Sequence, residues 1–208
     1  MNFFGHAAVA SWQAPAPGRV LGAMLPDFAT MSRARLAEAA DAEVGQGIAL
    51  HHETDRVFHQ LAPVLALMRE LDERLARAGC ARGPRRAVAH IGVELLLDGV
   101  LVDEAAYRES YLAGVAHDPA GVRWRDDGDD ARFAMLLTRL RAHGVPEDLR
   151  RTEAIVMRLS RMLAHRPLLA PSPADLVAIR SSLAAHQARV EVATDTVLRG
   201  LRAQLTAS

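Results

Sequence analysis

His51 and Asp55 stand four residues apart in the run Gly47-Ile48-Ala49-Leu50-His51-His52-Glu53-Thr54-Asp55, and His90, Glu94 and Asp98 repeat that step in a second run. On a helix this spacing stacks side chains on one face, about 5–6 Å apart at Cβ, so an imidazole and a carboxylate can converge on one cation. A mixed nitrogen and oxygen set of this kind suits Mn, Fe, Zn or Ni. Both stripes run among apolar residues. Ile48 and Phe58 share the face of His51 and Asp55, and the stretch from Ala87 to Leu97 has no polar side chain besides His90 and Glu94. A carboxylate in such surroundings must find a partner, bind a metal or be neutralised. The ordinary alternative is a pair of salt bridges or backbone caps, with Asp98-Gly99 simply ending the helix. His52, one position round, is a second ligand, a proton shuttle or a rim residue. His6, in the apolar opening segment, and Asp27, in Leu25-Pro26-Asp27-Phe28, can join the set; alone, they read as a buried histidine bonded to a carbonyl and a helix cap.

The elements that must carry these residues are helices. The 208 residues are 50% hydrophobic and only 4% aromatic, and an Ala-, Leu- and Arg-rich composition favours helix over strand. Gly, Pro and capping residues divide the chain into helical segments over about 2–12, 19–25, 47–78, 85–101, 103–115, 130–143, 146–165 and 172–205. A loop over 13–18 carries Pro15 and Pro17. Pro26 is expected to interrupt the second segment and place Asp27 at a turn, and Pro63 to kink or split the third. The charged stretch 118–130 reads as a solvated loop, and Ser172-Pro173-Ala174-Asp175 as a capping box. The expected fold is all-α, one multi-helix bundle over 1–208 with no interdomain linker.

Composition also excludes functions. The 25 basic residues, all Arg, balance 25 acidic ones, without the basic excess a nucleic-acid binder shows. Nucleic acid is therefore not an expected partner. Cys80 is the single cysteine, which rules out an internal disulfide and fits a reducing compartment. The opening MNFFGHAAVASW lacks a basic n-region, and no apolar run approaches the ~20 residues of a membrane span. A cytoplasmic location without membrane association follows as the expectation.

Asn2-Phe3 with His6, the Leu25-Pro26-Asp27-Phe28 element after Gly22, Gly47-Ile48 with His51 and Asp55, and the stretch from Met162 to Pro167 occur in an order that resembles the acyl carrier protein phosphodiesterase family over about residues 1–170. That family is similar to the HD-domain metal phosphohydrolases. The resemblance implies an all-helical HD-domain-like fold, a divalent metal, typically Mn, and removal of phosphopantetheine from a carrier-protein serine. The sequence also departs from the pattern. Where the family helix reads D-x-x-x-D-H this chain has His90, Glu94 and Leu95, and His-Glu-Thr fills the interval from His51 to Asp55 where the family tends to carry Arg.

Residues and resemblance together suggest a metal-dependent phosphoester hydrolase. His6, Asp27, His51, Asp55, His90 and Glu94 would supply one or two metal positions for Mn, Fe or Zn. Asp55 or His52 would accept a proton, and Arg56, Arg85, Arg86 and Arg166 are candidates to hold phosphate, Arg being suited to bidentate contacts. Holo acyl carrier protein is the substrate the resemblance names. The competing readings are a helical binding or scaffold protein without metal, which Leu95 favours, and a redox or metal-handling bundle, for which the paired Glu-x-x-His signature is absent.

Overall fold

The structure is a computed structural model that describes residues 1–12 and 16–206. Of the loop expected over 13–18, residues 13–15, including Pro15, lie outside the described residues, and Pro17 and Gly18 open a helix. The protein is all-α, 76% helical, with one small two-stranded sheet. Among the described residues no helix is long and apolar enough to cross a membrane. The chain divides into two compact units, each built from two stretches: Met1–Asp55 with Leu101–Pro146, and Arg56–Val100 with Glu147–Ser208.

In the first unit, α1 (Phe3–Ala10) is buried at every residue and packs on α2 (Pro17–Ser32) and α6 (Ala105–Ala116). Phe3, Phe4, Phe28 and Tyr111 interlock there, with ring centroids 5.4–6.1 Å apart. Helix α2 does not turn at Pro26. It runs through the proline, so Asp27 sits inside a helix and not at a turn or helix end. Leu21, Met24, Leu25 and Phe28 are fully buried on both sides of Pro26, and packing that one stripe outweighs the ~3 kcal/mol a mid-helix proline costs. Arg33, in the left-handed region at φ 55°, ends the helix.

Helix α3 (Ala42–Phe58) starts ahead of the expected Gly47. It meets α2 at two glycines: a Cβ on Gly22 would fall 2.1 Å from the Val44 carbonyl oxygen, and one on Gly47 2.1 Å from that of Arg19. Only glycine allows backbones this close. The stretch 118–130 is not simply a solvated loop. Val122–Trp124 forms β2, antiparallel to β1 (Leu36–Ala39), and α7 (Asp127–His143) begins within the stretch. Val122 and Trp124 alternate inward around exposed Arg123, the period of a half-buried strand. The acidic run supplies the Asp126 cap and a negatively charged first turn of α7, which the helix dipole favours.

The second unit holds α4 (Ala62–Arg77), nearly all of α5 (Arg82–Leu101), a 3₁₀ turn (Glu147–Arg150), α8 (Thr152–Leu163) and α9 (Pro173–Leu205). Pro63 opens α4, so the long segment expected over 47–78 is split. Val64, Leu67, Leu71 and Leu75 make the buried stripe of α4, which packs on α9 as α8 does. The expected segment 146–165 is broken into the 3₁₀ turn and the shorter α8. Helix α5 continues past Asp98, which is fully buried and does not terminate it. Ser172 and Asp175 form the capping box of α9, and Asp175 also accepts the Ala81 N–H at 2.7 Å.

Candidate metal centre

Three helices of the first unit bring His6 (α1), Asp27 (α2) and His51 (α3) together, each able to offer a ligand atom within 4.8 Å of the others. Asp55, one turn beyond His51, joins them. His6 Nε2 lies 3.2 Å from Asp55 Oδ1 and His51 Nε2 3.7 Å from Oδ2. The His6 and His51 rings stack with centroids 3.9 Å apart. Bonds of ~2.0–2.2 Å put ligands ~3 Å apart when adjacent and ~4.2 Å apart when opposite, and the separation of His51 Nε2 from Asp55 Oδ2 falls in that span.

The hydrogen bonds decide which nitrogen carries each proton. His51 Nδ1 lies 2.9 Å from the Ala23 carbonyl oxygen. A carbonyl only accepts, so Nδ1 holds the proton and Nε2 keeps a lone pair facing Asp55. His6 Nε2 lies 3.0 Å from the Met1 carbonyl oxygen as well as near Asp55. Both are acceptors, so the proton is on Nε2, and buried Nδ1 has no hydrogen-bond partner among the described residues. A lone pair left orphaned in this way is what a cation satisfies.

Electrostatics keeps the donors in ligand form. Burial lowers the basicity of both imidazoles, and the neighbouring His6 lowers His51 further, to about 4. Both are neutral at pH 7. At Asp55 burial opposes ionisation, but the His6 hydrogen bond and the charge of the Met1 amine, 2.7 Å away, outweigh it and hold the carboxyl well below the usual range.

His90 and Glu94 belong to the second unit, where they meet a residue the sequence reading passed over. His59 directly follows α3, and its Nε2 lies 3.1 Å from His90 Nε2 and 3.1 Å from Glu94 Oε1, while His90 Nε2 is 3.1 Å from the same oxygen. The six residues named from sequence therefore divide as four in one unit and two in the other. Helical spacing alone does not reveal His59, because its partners are more than thirty residues away. Its one signal was a histidine just before the Gln60-Leu61-Ala62-Pro63 break.

Among the remaining candidates, His52 is exposed, its ring edge-on to His51 at 5.3 Å. Arg56, Arg85, Arg86 and Arg166 all fall in the second unit. Arg85 is engaged by Asp72 at 3.0 Å, whereas Arg56, Arg86 and Arg166 are exposed. Cys80 is buried beside Asp175, and burial pushes its thiol up to about 12, so it is inert as a nucleophile. No protein-family model, no curated protein and no solved structure matches the chain.

Proposed function

We propose that the chain is a metal-dependent hydrolase of a phosphoester, with His6, Asp27, His51 and Asp55 as its metal set. The observation that carries this reading is the pairing of His51 Nε2 with Asp55 Oδ2. Two lone-pair atoms face each other across 3.7 Å, with the histidine proton committed to Ala23 on the other side of the ring. The gap matches a shared cation. Two imidazoles and two carboxylates suit Mn, Fe or Zn.

Held by these residues, such an ion would lower the pKa of a bound water towards ~7 and draw charge from a phosphoryl oxygen. The protein's part is to hold the donors. The Ala23 carbonyl orients His51, and Asp55, held ionised by His6 and the Met1 amine, would serve as a ligand. Exposed His52, beside His51, would then carry a proton to solvent. Holo acyl carrier protein enters as a substrate through the resemblance alone.

Metal analysis of protein purified without chelator, followed by hydrolysis of bis(p-nitrophenyl) phosphate and holo acyl carrier protein with added Mn, tests the proposal. Bound metal with turnover of either substrate is the expected result. Metal without turnover favours metal handling. A second reading, a metal-free helical scaffold, is favoured by the contacts Asp55 already makes with His6 and the Met1 amine. Absence of binding at micromolar Mn, Fe or Zn would leave that reading standing.

A further inference from the structure

The triangle of His59, His90 and Glu94 is tighter than the first set and differs from it in access. Its three edges are each 3.1 Å. An ion held at ~2.0–2.1 Å spreads its ligands ~2.9 Å apart at right angles and ~3.4 Å apart at the tetrahedral angle. The measured edges lie between these values without any adjustment. The base of the triangle is inside the protein and its rim is outside: the side chains are 10% exposed at Glu94, 31% at His59 and 50% at His90.

Protons satisfy this arrangement poorly. Each imidazole presents Nε2 both to the other and to the same oxygen, Glu94 Oε1. If both nitrogens carry protons, two donors crowd one acceptor and face each other at 3.1 Å. If only one does, its proton is shared between the other nitrogen and Glu94 Oε1, and the second nitrogen's lone pair still faces that oxygen; if neither does, three lone pairs converge. The two rings lie near-parallel, 4.7 Å between centroids and 17° between planes. A single cation satisfies all three atoms together.

We infer that His59, His90 and Glu94 form a solvent-reachable divalent metal site of the zinc class, separate from the proposed hydrolase set and not dependent on it. Two imidazoles and one carboxylate disfavour Mg and Ca, which take oxygen ligands, and suit Zn, for which Co is the spectroscopic surrogate, as they also suit Fe(II). Three protein ligands on a face open to solvent leave coordination for water or a small anion, the arrangement of an exchangeable or catalytic ion. Within the chain, His90 and Glu94 are one turn apart on α5, so a rigid helix fixes two ligands and His59 completes the face.

The test is titration of the full-length, metal-stripped chain with Zn, counting bound equivalents by elemental analysis, and with Co, reading the visible d–d absorption of a low-coordinate site. Loss of one Zn equivalent and of its Co absorption in His59→Ala, Glu94→Gln and His90→Gln is the expected result, with that equivalent and its absorption still present in His51→Gln, which removes only the metal of the first set. His90 is half exposed, so His90→Gln probes the ligand without risk to the core, and far-UV circular dichroism confirms folding. Equal Zn binding by wild type and the three variants, or no Zn bound by wild type, would overturn the inference and leave only a hydrogen-bonded triad. Failure of phosphodiester hydrolysis, or of metal loss in His51→Gln, bears on the hydrolase proposal and leaves this one unaffected.

Discussion

At the scale of residues, the first metal set turns on where protons are. Ala23 takes the His51 proton and Met1 with Asp55 takes that of His6, which leaves the remaining nitrogens as lone pairs. Asp55→Asn replaces an anionic ligand with an amide. Metal retention and turnover should both fall by more than the ~10–100-fold that loss of a supporting outer contact costs, while circular dichroism stays helical because the core around the site is apolar. In the metal-free chain the same groups set the response to acid. His51 titrates at about 4 when folded against 6.5 otherwise, and His6 is lowered too. The unfolded chain therefore binds more protons between about pH 6.5 and 4, and stability falls as pH drops through that window. His51 accounts for a loss on the order of 3 kcal/mol. Asp55, depressed in the folded state, adds a further loss below about pH 4. Urea unfolding at pH 7.5, 5.5 and 4 should give successively lower midpoints, and His51→Gln should flatten the first step.

At the scale of elements, the crossing of α2 and α3 decides whether the site exists. Gly47→Ala sets a methyl group 2.1 Å from the Arg19 carbonyl oxygen and 2.7 Å from the Ala23 nitrogen, both backbone atoms that cannot rotate away. Separating the helices costs about 1–3 kcal/mol, against at most ~1 kcal/mol gained in helix propensity. A net loss of stability is expected, together with weaker metal binding, because the Ala23 carbonyl that orients His51 moves with α2. Gly45→Ala in the same helix meets nothing within 4 Å and should stabilise by up to ~1 kcal/mol. In the second unit, Asp175 accepts from Ser172 and Ala81, and these bonds hold its carboxyl at about 2. Asp175→Ala removes the half of the capping box that accepts the Ser172 N–H, leaving Ser172 as the N-cap of α9, and leaves the Ala81 N–H ahead of α5 without its acceptor. A cost of about 1–3 kcal/mol in denaturant midpoint is expected.

For the whole molecule, stability and metal occupancy are linked. Free metal at a hundredfold excess over Kd stabilises the folded chain by about 2.7 kcal/mol. For a chain of this length, each kcal/mol shifts Tm by roughly 2–4 °C. Differential scanning calorimetry should therefore show a rise of roughly 5–10 °C for each site filled. His51→Gln should lose the part belonging to the first set, and His59→Ala the part belonging to the zinc-class site.

Local information determined most of the helices. The i, i+3, i+4 stripe of α4, the Ser172 capping box, the Pro63 break and the pairing of His51 with Asp55 and His90 with Glu94 all depend on residues within one or two turns of each other, and the sequence by itself specified them. Tertiary structure decided what depends on distant partners. Pro26 lies within a helix because packing on both sides of it holds the stripe together, and the charged stretch 118–130 gains a strand because β1 is there to receive it. The sites follow the same rule. His6, Asp27 and His51 come from three helices, and His59 becomes a candidate ligand only because α5 presents His90 and Glu94 to it. Periodicity reports which face of a helix a residue occupies, whereas convergence on one point is set by how helices pack, which no local spacing contains.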